Sequence, residues 1–185
     1  MENFVAINIK NLDFNDSLKF LEQFLPVSRK QKLNKQKLKK TQIISIVEYF
    51  LVKHALKIKG LPDFDYNENG KPSIKNSKHF NISHSGDWLV VATSNKPIGI
   101  DIQKNTPLKI SVANRVCSES ELNHLNTSTN QTVEFTKLWT MKESFVKMKG
   151  GSVFQNLKQV NVNQPHCTFE FFKLKDYQIC ICEEK

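Results

Sequence analysis

Residues 80–103 read FNISHSGDWLVVATSNKPIGIDIQ. Three apolar-rich runs, at 80–82, 88–93 and 98–102, are separated by Ser83-His84-Ser85-Gly86-Asp87 and by Ser94-Asn95-Lys96-Pro97. The pattern predicts three short strands joined by two polar turns. In the last run Ile98, Ile100 and Ile102 share one face and point into a core. Gly99, Asp101 and Gln103 share the other face. Thr106-Pro107 then breaks the chain and sets the expected boundary between an N-terminal lobe, 1–104, and a C-terminal lobe, 105–185.

Toward the N-terminus, alternation over 4–9 predicts a strand. Asp16 or Asn15 is the expected cap of a short amphipathic helix ending near Leu25-Pro26. Ser28 with Gln31 has the spacing of a capping box, opening a helix or helix pair that runs to about residue 59. Its stretch 43–56 is apolar on most faces and should be buried. Residues 61–78 are turn-rich, with Pro62, Asn69-Gly70 and Pro72. Toward the C-terminus, short helices are expected at 110–115 and 119–125, then a long helix at 131–149 capped by Gly150-Gly151. Strands at 160–162, 167–172 and 177–182 complete the chain. The order of elements predicts an α+β fold of two similar lobes, without a repeat visible in the sequence itself.

The chain has 185 residues, 39% hydrophobic and 24% charged, the range of a soluble globular protein. No apolar run approaches the roughly 18 residues of a membrane-spanning helix. Met1-Glu2-Asn3-Phe4 offers neither a basic nor an apolar leader region, so no signal peptide is expected. Cys117, Cys167, Cys180 and Cys182 form no CxxC pair and read as reduced, partly buried thiols of a cytoplasmic protein. A metal site from Cys180, Cys182 and His166 has poor spacing. The formal charge of +9 points to acidic partners: nucleic acid, an acidic protein or a phosphate-rich small molecule. Arg29, Lys30, Lys32, Lys35, Lys37, Lys39 and Lys40 concentrate that charge, with no acid before Glu48. No aromatics are interleaved with these lysines, and no zinc-finger or RRM-like motif accompanies them, which weighs against a nucleic-acid-binding module.

Three segments could carry chemistry. The turn around Ser83 and His84 offers a hydroxyl, an imidazole and backbone N–H groups, which together can grip phosphate. Asp101, at a strand end and facing away from the core, is placed like a divalent-metal ligand. Trp139, Glu143 and Lys147, at i, i+4 and i+8, make a stripe beside the apolar stripe of Leu138, Met141, Phe145 and Met148. Each has a plainer alternative when read alone. His84 could be a surface loop histidine, and Asp101 an exposed edge carboxylate. Glu143–Lys147 could be a surface ion pair worth about 0.3–0.5 kcal/mol.

Together, FNISHSGDWLVVAT, GIDIQK and WTMKESFVKMKGG, in that order, resemble the pattern FNxSHSxxxxxxA, GIDxE and WxxKES/AxxK. That is the pattern of the 4′-phosphopantetheinyl transferases of the larger, pseudo-dimeric (Sfp-type) class. The likeness runs from Gly70-Lys71-Pro72 to the last strand. It implies two α+β lobes about a pseudo-twofold axis, with coenzyme A in the cleft between them. It implies Mg²⁺ held by Asp101 and Glu143, with Gln103 as a third ligand directly or through water. Ser83 and His84 would contact coenzyme A phosphates, Lys147 the pyrophosphate, and Lys71 would lie beside the adenine. Arg29, Lys32 and the pair Lys40-Thr41 resemble the basic residues around the coenzyme A phosphates. Ser118 and Glu121 match a segment leading toward the carrier-docking region. The implied activity is Mg²⁺-dependent transfer of the phosphopantetheine arm to a serine of an apo acyl or peptidyl carrier protein, by a monomer that binds neither nucleic acid nor membrane. Glu143 or a bound water would be the base. Gln103 departs from the pattern, since many relatives carry an acid there, and it keeps open a coenzyme A- or carrier-binding relative without turnover.

Overall fold

The structure is a computed structural model, and it describes residues 4–12, 16–151, 157–163 and 165–185. The predicted cap at Asn15, and the side chain of Asp16, lie outside the described residues. The first half contains β1 (Phe4–Asn8), α1 (Asp16–Gln23), α2 (Val27–Asn34), α3 (Lys39–Leu56), a small hairpin β2 (Asp65–Tyr66) and β3 (Pro72–Ser73), then β4 (His79–Ser85) and β5 (Trp88–Ser94). The second contains β6 (Ile98–Lys104), α4 (Ile110–Val116), α5 (Glu119–Thr127), α6 (Gln131–Met148), a 3₁₀ turn (Leu157–Gln159), β7 (Cys167–Leu174) and β8 (Tyr177–Glu184). The architecture is α+β.

Two antiparallel three-stranded sheets form, in the orders β1-β5-β4 and β6-β8-β7. Each half runs edge strand, helices ending in an 18-residue helix, then a hairpin whose second strand takes the sheet centre. Apart from the small β2–β3 hairpin of the first half, the two sheets therefore share one strand order.

The continuous apolar run of β5 explains how the layers stack. A strand buried on both faces loses the polar alternation of a half-exposed one. Leu89 and Val91 pack with Ile43, Ile46, Val47 and Val52 of α3. Val90 and Ala92 face the other way, onto Ile98, Ile100 and Ile102 of β6 and Ile179 and Ile181 of β8. On the far side of the second sheet Met148 of α6 packs with Cys167 and Cys182. Apolar contact thus runs from α3 through both sheets to α6.

Four sequence expectations are corrected and one is narrowed. β4 continues through Ser85, so Ser83 and His84 are strand residues in the β5 ladder; only Gly86-Asp87 turns, with Gly86 at φ +59°. The helix or helix pair expected from 28 to about 59 is a pair, divided after Asn34, where the Lys35 and Gln36 N–H groups close tight turns onto Lys32 and Leu33. Ser28 does not form a capping box; its hydroxyl donates to Asp63 Oδ1 at 2.5 Å. Residues 160–162 are not a strand, because Val160 packs with the α4–α5–α6 cluster instead of a sheet edge. Finally, β6 pairs with β8, so strand pairing places 98–104 with the second half rather than the first. The Thr106-Pro107 break separates β6 from α4; the chain passes between the sheets at residues 95–97. The C-cap at Gly150-Gly151 is present, with Gly150 at φ +72° and the Gly151 N–H donating to the Val146 carbonyl.

Candidate active site

The site begins with the close approach of α6 to β6. At Gly99 an added Cβ would sit 2.0 Å from the Ser144 carbonyl oxygen and 2.5 Å from the Met148 nitrogen. Only glycine lets the helix backbone come this near the strand. The period of two then places Asp101 and Gln103 on the same helix-facing side. Asp101 is 2% exposed, so the plain reading of an exposed edge carboxylate does not hold.

A second device joins β4 to β6. β6 is the edge of its sheet, so alternate backbone groups have no strand partner. Unpaired groups of this kind are costly when buried. Side chains of β4 satisfy them in register: Asn81 Oδ1 accepts from Ile100 N at 2.9 Å, Ser83 Oγ from Ile102 N at 3.4 Å, and Ser85 Oγ from Lys104 N at 3.3 Å. Farther along, Lys71 Nζ donates to the Ile98 and Met148 carbonyls at 3.0 and 3.1 Å. Desolvation pushes its pKa down to about 8. The spacing of Asn81, Ser83 and Ser85 in the first motif is thus that of a side-chain seam between two sheets.

Where the seam meets α6, a cleft of about 400 Å³ is lined by Ser83, His84, Asp101, Gln103, Trp139, Glu143 and Lys147, with Ile82. Strand and helix motifs distant in sequence therefore converge. Lys147 Nζ donates to Asp101 Oδ1 at 2.5 Å and to Ser83 Oγ at 3.0 Å, and Ser83 Oγ donates to the same carboxylate oxygen at 2.8 Å. Lys147 is thus paired with Asp101 across the cleft rather than with Glu143 one turn away. Asp101 Oδ2 and Glu143 Oε2 are buried and have no hydrogen-bond partner among the described residues. Burial pushes the Glu143 carboxyl up to about 7, the nearby Asp101 charge adds to this, and Lys147 opposes it. Burial also raises Asp101, against the pull of Lys147 and Ser83. Two buried carboxylate oxygens without donors, in one cleft, are what an absent cation would leave. Among the described residues no group of three or more His, Cys, Asp or Glu side chains is arranged to hold a metal. A cation here would have two carboxylates and the Gln103 amide, whose Oε1 accepts from Ser85 Oγ at 3.4 Å.

The other predicted contacts divide. His84 is exposed on β4 at the cleft wall. Lys40 reaches the β4–β5 turn through Asp87 at 2.8 Å, and Thr41 is exposed in the first turn of α3. Lys32 lies over the Tyr66 ring at 5.1 Å. Arg29 does not fit a phosphate-binding role. It is 3% exposed, donates to Tyr66 Oη and the Ser45 carbonyl, and pairs with Glu48. Its guanidinium also stacks 4.7 Å from the Phe64 centroid, so it works as a core cation of the first half. Lys71 lies at the opposite end of β6 from Lys104, with its ammonium tied to backbone carbonyls. Ser118 and Glu121 form the capping box of α5.

Sequence reasoning missed Lys142. It is fully buried, with Nζ bonding the Val116 and Leu157 carbonyls and Glu121 Oε2 at 2.7 Å. It ties α4, α5 and the 3₁₀ turn to α6 beside Glu143. Its signal was a lysine at i+3 from Trp139 in a helix otherwise apolar on that side.

Residues 97–184 match the sequence profile of the 4′-phosphopantetheinyl transferase superfamily. The second half of the chain is therefore similar to that superfamily. The matched stretch starts at the crossing into the second sheet and carries Asp101, Glu143 and Lys147, while Ser83 and His84 precede it. The 4′-phosphopantetheinyl transferase Sfp of Bacillus subtilis is 45% identical over 91 residues, 47% of this chain and 41% of that protein. The 4′-phosphopantetheinyl transferase psf-1 of Bacillus pumilus is 33% identical over 141 residues, 66% and 60%. The 4′-phosphopantetheinyl transferase gsp of Aneurinibacillus migulanus is 36% identical over 113 residues, 58% and 48%. The chain therefore spans about half the length of these curated relatives. Among solved structures, the holo-[acyl-carrier-protein] synthase of Thermotoga maritima aligns at a TM-score of 0.40 and 16% identity, over 48% of this chain and 64% of that one.

Proposed function

We propose that this protein transfers the phosphopantetheine arm of coenzyme A to a serine hydroxyl of an apo acyl or peptidyl carrier protein, with Mg²⁺, and releases 3′,5′-ADP. The observation that carries the reading is the cleft in which two buried carboxylates each keep an unpartnered oxygen beside Lys147, Ser83 and His84. Mg²⁺ suits this donor set, since it is commonly held by one or two carboxylates together with substrate phosphates and water. Asp101 and Glu143 would hold it directly and Gln103 through water. When bound, the ion neutralises phosphate charge that would otherwise repel the nucleophile.

In the reaction the serine oxygen forms a bond to the β-phosphorus. The bond from that phosphorus to the bridging oxygen breaks, and 3′,5′-ADP leaves with the electron pair. Lys147 is fixed by Asp101 and Ser83 at the cleft wall, where its ammonium can meet phosphate oxygen. His84, exposed at the rim, can donate to a second phosphate. Glu143, or a water beside it, is the group placed to take the serine proton. Lys40 and Thr41 would face the 3′-phosphate. A net charge of +9 favours encounter with an acidic carrier.

We further propose that the halves, divided before β6, are lobes related by a pseudo-twofold axis; their shared strand order supports this. Buried cysteine side chains fit a reducing compartment, and two lobes in one chain fit a monomer. No described helix is long and apolar enough to cross a membrane.

The deciding experiment incubates the protein with Mg²⁺, coenzyme A and a panel of apo carrier proteins. The expected outcome is a carrier mass gain of one phosphopantetheinyl group, lost with Asp101→Asn or Glu143→Gln. Coenzyme A binding without any mass gain would instead establish a relative without turnover, the reading motivated by the neutral Gln103.

A further inference from the structure

At the C-terminal end of α3 lies a cavity of about 430 Å³ that shares no lining residue with the carboxylate cleft. α3 has 18 residues, so its ends are about 27 Å apart. Lys40, at the N-terminal end, reaches the β4–β5 turn; Leu56, at the other end, lines the cavity. The floor is Leu56, Ile58, Pro62 and Ile74, all half-buried. Leu56 and Ile74 also pack against the core of the first half, and Tyr49 Oη donates to the Pro62 carbonyl at 3.2 Å, so the floor is held in place.

The rim is a tight turn at 74–77. The Ser77 N–H donates to the Ile74 carbonyl at 3.2 Å, and Asn76 stands at φ +57°, a conformation asparagine tolerates. Lys75 and Lys78, both exposed, complete the lining. No acid lines the cavity, and among the described residues no carboxylate pairs with either ammonium. Lys57 and Lys59, exposed on either side of Ile58 in the chain, add charge of the same sign. A bare helix C-terminus would repel an anion. This one is closed: the Lys53 and His54 carbonyls accept from the Ile58 and Lys57 N–H groups at 3.0 and 3.1 Å.

We propose that this cavity binds an amphipathic monoanion, a carboxylate carried on an aliphatic chain of medium length. The site stands apart from the coenzyme A reading and does not depend on it. Two features of the lining select this one chemistry. Half-buried aliphatic side chains, already ordered, gain by covering a hydrocarbon chain. Two ammonium groups that lack a carboxylate gain from a ligand's carboxylate without giving up an existing ion pair. A purely hydrophilic anion would leave the floor in water, and an uncharged chain would leave the ammonium groups unused. The volume lies within the roughly 300–1,000 Å³ of pockets for small organic ligands.

The test is calorimetric titration of the full chain with octanoate and with octan-1-ol, which carries the same chain without the charge. Octanoate is expected to saturate one site, and octanol to bind about fivefold more weakly, the scale of an exposed ion pair. Lys75→Gln combined with Lys78→Gln should bring octanoate down to the octanol affinity and leave octanol unchanged. Ile58→Trp, which fills the floor, should weaken both ligands about tenfold, the worth of about two methylenes left in water. Should Ile58→Trp fail to fold by circular dichroism, the lysine variant decides alone. No saturable octanoate binding, equal affinity for the two ligands, or octanoate binding untouched by the lysine substitutions overturns the proposal. So does displacement of octanoate by inorganic phosphate, which would make the floor irrelevant, or by coenzyme A, which would assign the cavity to the other ligand. Sedimentation with phosphatidylglycerol vesicles in the absence of octanoate binding would assign these lysines to a lipid surface and overturn the site as well.

Discussion

At the residue scale, the unusual feature is how much polar chemistry is buried along one strand. Asp101, 2% exposed, and Glu143, 5% exposed, each keep an oxygen that nothing in the described protein satisfies. Without a cation, ionising Glu143 works against folding: the folded state holds its proton up to about 7, so stability falls as pH rises from about 4.5 through 7. Glu143→Gln should therefore melt above the wild type at pH 8 without Mg²⁺, by about 1–2 kcal/mol after allowing for solvent reaching the cleft. It should also lose the Mg²⁺-induced rise in melting temperature that the proposed cation site predicts for the wild type. Equal melting at pH 8 would contradict the burial argument. Lys71 has the opposite sign. Its folded pKa, about 8, lies below that of a free lysine, so the unfolded chain binds the extra proton between about 8 and 10.5. Stability should rise across that window, and urea titrations of Lys71→Met should show a flatter profile.

At the element scale, β6 and α6 form the frame. Their contact depends on Gly99, where a methyl group would meet helix backbone that cannot step aside. Gly99→Ala should cost at least about 2 kcal/mol in denaturant unfolding and weaken coenzyme A binding, because moving α6 outward carries Glu143 and Lys147 from Asp101. A Gly99→Ala protein as stable as the wild type would show that the approach is looser than described. The other fixing point of α6 is Lys142, whose ammonium holds two carbonyls and Glu121. Lys142→Met should destabilise by about 3 kcal/mol, and by clearly less when Glu121→Gln is already present. Additive effects in that double-mutant cycle would mean the pair is not coupled. This scale also separates what was legible. Periodicity found α6 to within a residue of its end because its apolar stripe and Gly150-Gly151 cap are local signals. It lost the end of β4, because Ser83-His84-Ser85-Gly86 carries turn composition while the ladder to β5 overrides it.

At the scale of the whole molecule, the two sheets repeat one strand order, and the site lies where the edge strand of the second sheet meets the edge strand of the first. Lys40, from the basic run at the start of α3, reaches the β4–β5 turn through Asp87. Association with an acidic carrier should slow as salt rises, by roughly tenfold or more from low to high ionic strength in stopped-flow measurements. A salt-independent rate would remove charge from the docking argument.

By itself the sequence determined the class of fold, most of its elements and the motifs proposed to bear the chemistry. These are written in local periods, caps and turn residues, which act over a few positions. It also placed Asp101 and Glu143 on faces that could meet. Tertiary structure decided what could not be read locally. It moved β6 into the second sheet, withdrew Arg29 into a core among Phe64, Tyr66 and Glu48, and turned Asn81, Ser83 and Ser85 into partners for a bare strand edge. The physical reason is the same in each case: a buried polar group or unpaired backbone N–H must find its partner somewhere in the chain. Which partner it finds depends on which surfaces fold together, not on the residues beside it in sequence.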